Sequence, residues 1–396
     1  MANGALYEER VKNLVDATSF REPDKVPVGI EVIWWSLQYA GVKLYDVVDN
    51  PEVFAKAYTK FLDDLEIDFY MMAFGPSQAI RAYDALGSTQ YRLADDGTTV
   101  QHIQAEMNLM TVDEYDDLIN DYDNFMNNVM PMRNFKAFQG SKEEAYEALK
   151  KAAVALKIHN ETQRLIDEVV LDKQIVPLNP MFGWPVPPMF MSPFNKLFDQ
   201  LRGVKESLID LRRRPDKVKA VNEIVASRTP PAPITPDDCL TRDPIPAGWT
   251  IYHSECFLNN QQFDEQFFQP FKKLALPYME KGGKYFLKGE GTFLNTLDRY
   301  RELPKGSMII VLDQDDPFEA YKKIGDWQTL VTGINMDLLK TGTKQQCIDY
   351  VKKCYDTFAP GGGFIFAPHK PLISANDVNV ENLLAVFQFA NEYGKK

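Results

Sequence analysis

Four cysteines and four histidines are all that 396 residues carry, and that scarcity bounds the chemistry open to the chain. Cys239, Cys256, Cys347 and Cys354 form no CxxC, which excludes a zinc ribbon and a thioredoxin-type redox pair. No apolar run approaches the roughly 20 residues of a membrane-spanning helix. The first ten residues carry charges where a signal peptide would be apolar. Basic clusters are equally scarce. Arg212-Arg213-Arg214 is the one dense run, late in a predicted helix where cations suit the dipole. A net charge of -12 argues against binding a phosphate backbone. Internal repeats, a GxGxxG and a Walker-type loop are absent. The expectation is a cytoplasmic protein with reduced thiols and neither a membrane nor a nucleic-acid partner.

What is present is a rhythm. With 45% hydrophobic and 25% charged residues, a sizeable core is expected. Short apolar runs start near Val26, Asp68, Gln174, Thr250, Lys284, Met308, Thr329 and Gly363, mostly separated by helix-length intervals. Eight such strands predict an α/β protein, a single (β/α)8 TIM barrel spanning residues 1–396, with an N-terminal helix over 6–20. After the second strand the rhythm breaks for an insertion at about 90–168. It opens with a hairpin turned at Asp95-Asp96-Gly97 and continues mostly as helix. His102, on the second arm of that hairpin, and His159, inside a helix, are assigned structural roles. Residues 180–191, rich in proline, methionine and aromatics, form a rigid loop: a pocket lid, a docking face or a loop packed on the core.

In a barrel of this kind the C-terminal strand ends build the active face. Glu290 lies between Gly289 and Gly291 just after the strand from Lys284, where the glycines let the backbone turn tightly around it. Glu255, Asp313 and His369 end three further strands. Alternation along the strand from Thr250 puts His253 and Glu255 on one face and Cys256 on the other. Trp34 and Trp35, just past the first strand, fit either the core or the wall of a pocket for a flat ligand. Lys288 and Asp313 fit either an ion pair between adjacent strands or, with Asp315, proton transfer at a leaving group.

Several segments resemble the uroporphyrinogen decarboxylase superfamily. Arg21-Glu22-Pro23-Asp24-Lys25-Val26-Pro27-Val28 is similar to its opening "R.EPDRVPV". Gly325-Asp326, Thr332-Gly333-Ile334-Asn335, Leu338-Leu339 and Gly342-Thr343 are similar to its "GD…GN…LL..GT" run. Pro360-Gly361-Gly362-Gly363-Phe364-Ile365-Phe366 and Glu381-Asn382-Leu383 are similar to its "GGGF…eN" ending. The decarboxylase's "MRQAGR" arginines are missing, because Glu31-Val32-Ile33-Trp34-Trp35-Ser36 stands in their place. A tetra-anionic porphyrinogen would meet Glu31 and two tryptophans there, so decarboxylation of it is not expected.

The resemblance then points to the branch that moves methyl groups to corrinoid proteins. Its thiol-methylating members hold zinc through His-x-Cys and a later Cys. Here those positions read Lys288-Gly289-Glu290 and His369, so the thiolates are gone, as in the corrinoid-linked O-demethylases that carry "EG" after this strand. The expected metal is zinc on Glu290, His369 and Glu255, with His253 or Cys256 as substitutes, acting as a Lewis acid. The expected reaction carries a methyl group from an aryl methyl ether to the cob(I)alamin of a separate corrinoid protein. The chain lacks the DxHxxG signature for holding the corrinoid itself. Trp34, Trp35, Phe74, Phe182, Trp184 and Asn335, with Glu31, are the expected substrate contacts. A methylated amine or betaine as donor, and a metal-independent decarboxylase or lyase, are the alternatives. A homodimer is open.

Overall fold

The structure is a computed structural model that describes residues 4–71, 79–103, 109–178, 189–228 and 247–396. Phe74, Phe182 and Trp184 lie outside the described residues, as does most of the 180–191 loop.

Among the described residues eleven strands form in chain order: β1 Gly29–Glu31, β2 Phe69–Met71, β3 Tyr91–Leu93, β4 Val100–His102, β5 Val176–Leu178, β6 Met189–Phe190, β7 Ala247–Ile251, β8 Lys284–Lys288, β9 Met308–Val311, β10 Thr329–Ile334 and β11 Phe364–Pro368. Strands β3 and β4 make the expected antiparallel hairpin. The eight predicted strands are all present as β1, β2, β5 and β7–β11, and every pairing among them is parallel. With β6 they run in two sheets, β1-β2-β5 and β11-β10-β9-β8-β7-β6. Bridges from Val28 to Phe366 and from Val32 to Leu372 join β1 to β11. Strand β6, paired with β7, falls within the predicted 180–191 loop. Among the described residues no pairing joins β5 to β6 or β7, so the eight strands are continuous around the sheet without a closed seam.

Side-chain contacts show how far the sheet curls. Lys288 on β8 and Glu31 on β1 are separated by β9, β10 and β11, yet Lys288 Nζ lies 2.5 Å from Glu31 Oε1. Four strand spacings along a flat sheet amount to roughly 19 Å, beyond the reach of the two side chains. Only a strongly curved sheet lets them meet. Phe69, Met71, Val176, Trp249, Phe286, Ile309, Val311, Val331, Ile365 and Ala367 share one interior core for the same reason. Alternation then turns Tyr285 and Leu287 outward, onto Phe267, Phe271 and Tyr278 of the flanking helices.

The N-terminal helix, Ala5–Thr18, packs Tyr7, Val11, Leu14 and Ala17 against the inner core. Lys284, at the start of β8, donates to Thr18 O and Gly306 O at 2.8 Å each, so this helix covers the N-terminal strand ends. Asp68 pins it from the side. Its carboxylate accepts from Arg10 Nε at 3.3 Å, Lys25 Nζ at 2.8 Å and the Val28 N–H at 2.9 Å. The sequence's outer motifs meet here too. Gly361, Gly362 and Gly363 all have positive φ, and a Cβ on Gly362 would stand 2.5 Å from Arg21 O. Asn382 donates to Leu339 O and Gly342 O, tying the last helix, Val380–Tyr393, to the Gly342-Thr343 turn. The insertion ends in one long helix, Lys142–Asp172, opened by a Ser141/Glu144 capping box. Among the described residues no helix is long and apolar enough to cross a membrane.

Candidate functional site

The C-terminal strand ends surround a cavity of about 500 Å³ whose lining includes Glu31, Lys288, Glu290, Asp313, His369 and Lys370. Its floor is the buried Lys288–Glu31 pair. Burial pushes the Glu31 carboxyl up, and Lys288 opposes that shift. Asp313 does not pair with Lys288. It accepts the Gly291 N–H at 2.5 Å and lies 3.4 Å from Lys370 Nζ, so it braces the turn that presents Glu290.

That turn uses both glycines. Gly291 has φ +84°, and a Cβ there would stand 3.0 Å from Cys256 Cβ. A Cβ on Gly289 would meet Val311 O at 2.7 Å. Gly291→Ala should therefore destabilise the protein by about 1–2 kcal/mol through the left-handed backbone alone, read as a lowered urea midpoint. An unchanged midpoint would show that the turn relaxes freely.

Strand β7 stops at Ile251, and Glu255–Phe257 forms a tight 3-10 turn, so the alternation expected for residues 250–256 does not operate. Instead, Ser254 is fixed by its N–H and hydroxyl to Asn195 Oδ1. Glu255 curls back to accept the His253 N–H at 2.6 Å. His253 is thereby held with Nδ1 3.0 Å from Asp199 Oδ1 and Nε2 3.8 Å from Glu290 Oε2. The Phe198 ring stands roughly edge-on to the imidazole, with centroids 5.4 Å apart. Asp199 escaped the sequence reading. It sits in a π-helical turn, Lys196–Leu201, a local widening common at functional sites but without a sequence signature.

The electrostatics follow from this crowding. Burial alone would push the His253 pKa down, but Asp199, then Glu290 and Glu255, lift it to about 8. Burial raises Glu255 to about 7, against the His253 N–H. Burial, with Glu255, Glu290 and Asp313 adding to it, pushes the Cys256 thiol to about 11. Near neutral pH the group therefore holds an imidazolium, a half-protonated Glu255 and a protonated thiol.

Of the expected zinc ligands, Glu290 and His369 line the cavity, and Glu255 is not among its described lining residues. His369 Nε2 is 2.8 Å from the Thr332 hydroxyl, and burial pushes its pKa down to about 4. Glu255 is committed to the His253 backbone. Among the described residues no three His, Cys, Asp or Glu side chains stand together as a metal site, so Glu255, Glu290 and His369 do not fit a zinc ion in this arrangement. Other expected contacts have structural partners. Asp315 accepts the Phe293 and Leu294 N–H groups, and Asn335 caps the Met336–Thr341 helix through Leu338 N. Trp35 is 1% exposed, stacked on Tyr39 with Phe61 at its edge, and Trp34 is buried in the same core. Neither offers an open face.

No protein-family model and no curated protein matches the chain. Among solved structures it is similar to the methyltransferase from Methanosarcina mazei, over 97% of this chain and 98% of that one, with a TM-score of 0.55 and 14% identity. At that identity the likeness is one of fold.

Proposed function

We propose that this chain is a methyltransferase, moving the methyl group of an aryl methyl ether to the cob(I)alamin of a separate corrinoid protein and releasing a phenol. The observation that carries the reading is the end-to-end fold likeness to a methyltransferase, joined to a polar centre at the C-terminal strand ends. No side chain here is nucleophilic enough to displace a phenoxide from carbon. The corrinoid partner supplies that nucleophile. The chain's own task is to hold the ether, aim its methyl group out of the mouth and meet the charge that develops on the leaving oxygen.

His253 is the group suited to that last task. Asp199 on Nδ1 fixes the ring and favours its charged form, which leaves Nε2 beside Glu290 as the proton donor at the mouth. As the carbon–oxygen bond breaks, the oxygen takes the Nε2 proton and leaves as a neutral phenol. Lys288 and Glu31 form the floor against which the donor rests.

The reading is tested by supplying the purified chain and a reduced corrinoid protein with guaiacol, or with trimethylamine or glycine betaine, each with and without chelator. The expected result is methylcobalamin from guaiacol alone, insensitive to chelator. Turnover of the amines with guaiacol inert would overturn the donor class: glycine betaine departs as a neutral tertiary amine and needs no proton, whereas trimethylamine departs as a secondary amine and needs one. Loss of guaiacol turnover on chelation would replace the proton with a metal.

A further inference from the structure

The excursion after β2, assigned only a structural part from sequence, carries a column of rings. Tyr83, on the Ile80–Leu86 helix, stacks on Tyr91 of β3 with centroids 4.9 Å apart and planes at 15°. Tyr91 stacks in turn on His102 of β4 at 4.5 Å and 6°. The first two rings are partly covered, while His102 is an exposed residue. Its other face carries no ring among the described residues.

The hairpin holding this column is braced. Val100 is buried in the main core, Ile103 N donates to Gln90 O at 2.7 Å, and Thr89 N donates to Asn134 O at 2.9 Å. The column lies within electrostatic reach of the His253–Asp199 pair: Asp199 acts on Tyr91 and His102, and His253 acts on His102. So a row of parallel rings, fixed before any ligand arrives, ends on an exposed histidine within electrostatic reach of His253.

We propose that the outer face of His102 is the platform on which the aromatic ring of the methyl donor lies, as a fourth member of the Tyr83–Tyr91–His102 column. This rests on the aryl-ether reading above and deepens it by naming what recognises the ring. A flat ring placed there extends an offset stack already formed and costs no side-chain ordering in the protein. A saturated ring of the same size meets the same preformed column but gains no stacking.

The test needs no partner protein, so binding is read without turnover. Guaiacol and its saturated counterpart 2-methoxycyclohexanol are titrated by calorimetry into the full chain, into His102→Ala and into His102→Phe. Guaiacol should bind the native chain more tightly than the saturated ether. His102→Ala should weaken guaiacol about three- to tenfold and leave the saturated ether almost unchanged. His102→Phe, which restores a flat face, should recover guaiacol binding. A merely structural histidine would not be rescued in that ligand-selective way. Equal guaiacol binding by the native chain and His102→Ala, or His102→Phe as weak as His102→Ala, would overturn the platform while leaving the aryl-ether reading intact. A native chain that does not prefer guaiacol to its saturated counterpart would overturn both.

Discussion

Replacing His253 with alanine should lower kcat for aryl methyl ethers by roughly 10²- to 10⁴-fold, the usual worth of a positioned proton donor. The loss should shrink as the phenol becomes more acidic, because a stable phenoxide departs without help. A nitro-substituted guaiacol should then be turned over almost equally by the native chain and His253→Ala. The pH profile carries the same signature. The folded pKa of about 8 lies above the ordinary 6.5, so the active imidazolium persists at neutral pH and is lost as pH rises through 8. Turnover should fall above that value. Asp199→Asn should weaken the hold on the charged form and move the fall to lower pH. A His253→Ala variant equally slow on both leaving groups would indicate a misplaced donor rather than a missing proton.

The second large effect is on stability. Asp68 receives two cations, with side chains only 7% exposed for Arg10 and 8% for Lys25, and its own carboxylate is 5% exposed. Truncating it to alanine leaves both cations in the interior and orphans the Val28 N–H. The expected cost is about 3–5 kcal/mol, as for other buried pairs that lose one partner. It should appear as a lower urea midpoint with an unchanged slope. Because the site lies at the other strand ends, the residual folded protein should keep its affinity for guaiacol. A cost below about 1 kcal/mol would mean that water reaches the cluster.

These two predictions draw on features of unequal legibility. Strand positions and the hairpin could be read because burial imposes a period of two residues and a turn imposes its glycine. The tight turn around Glu290 was equally plain, since Gly291 must adopt a positive φ and Gly289 must let Val311 approach. Legibility ends where the strands end. Alternation assigned faces to His253, Glu255 and Cys256, but β7 stops at Ile251, and beyond it hydrogen bonds from Asn195 and Glu255 decide where each side chain goes. His369 lines the same cavity as Glu290, but its Nε2 is taken by the Thr332 hydroxyl, a pairing that the sequence does not show.

Partner choice was hidden for the same reason. Lys288 and Asp313 are neighbours by strand order, yet Lys288 reaches across the interior to Glu31 while Asp313 braces the Gly291 turn. Nothing local distinguishes those outcomes, because the curvature of the whole sheet decides which side chains meet. Asp199 carried no signal at all: it is one acidic residue on a helix more than fifty positions from His253. Trp34 and Trp35 show the opposite failure, since large aromatic side chains near a strand end suit a pocket wall and a core equally well.

The most direct measurement follows the methyl carbon. Guaiacol labelled with ¹³C in its methoxy group is incubated with the purified chain and a reduced corrinoid protein, and the cobalt-bound methyl is observed by NMR. The account predicts one labelled methylcobalamin for each catechol released, at a rate that His253→Ala cuts by at least about a hundredfold. Label that stays on guaiacol while the same preparation methylates the corrinoid from a quaternary amine would contradict it.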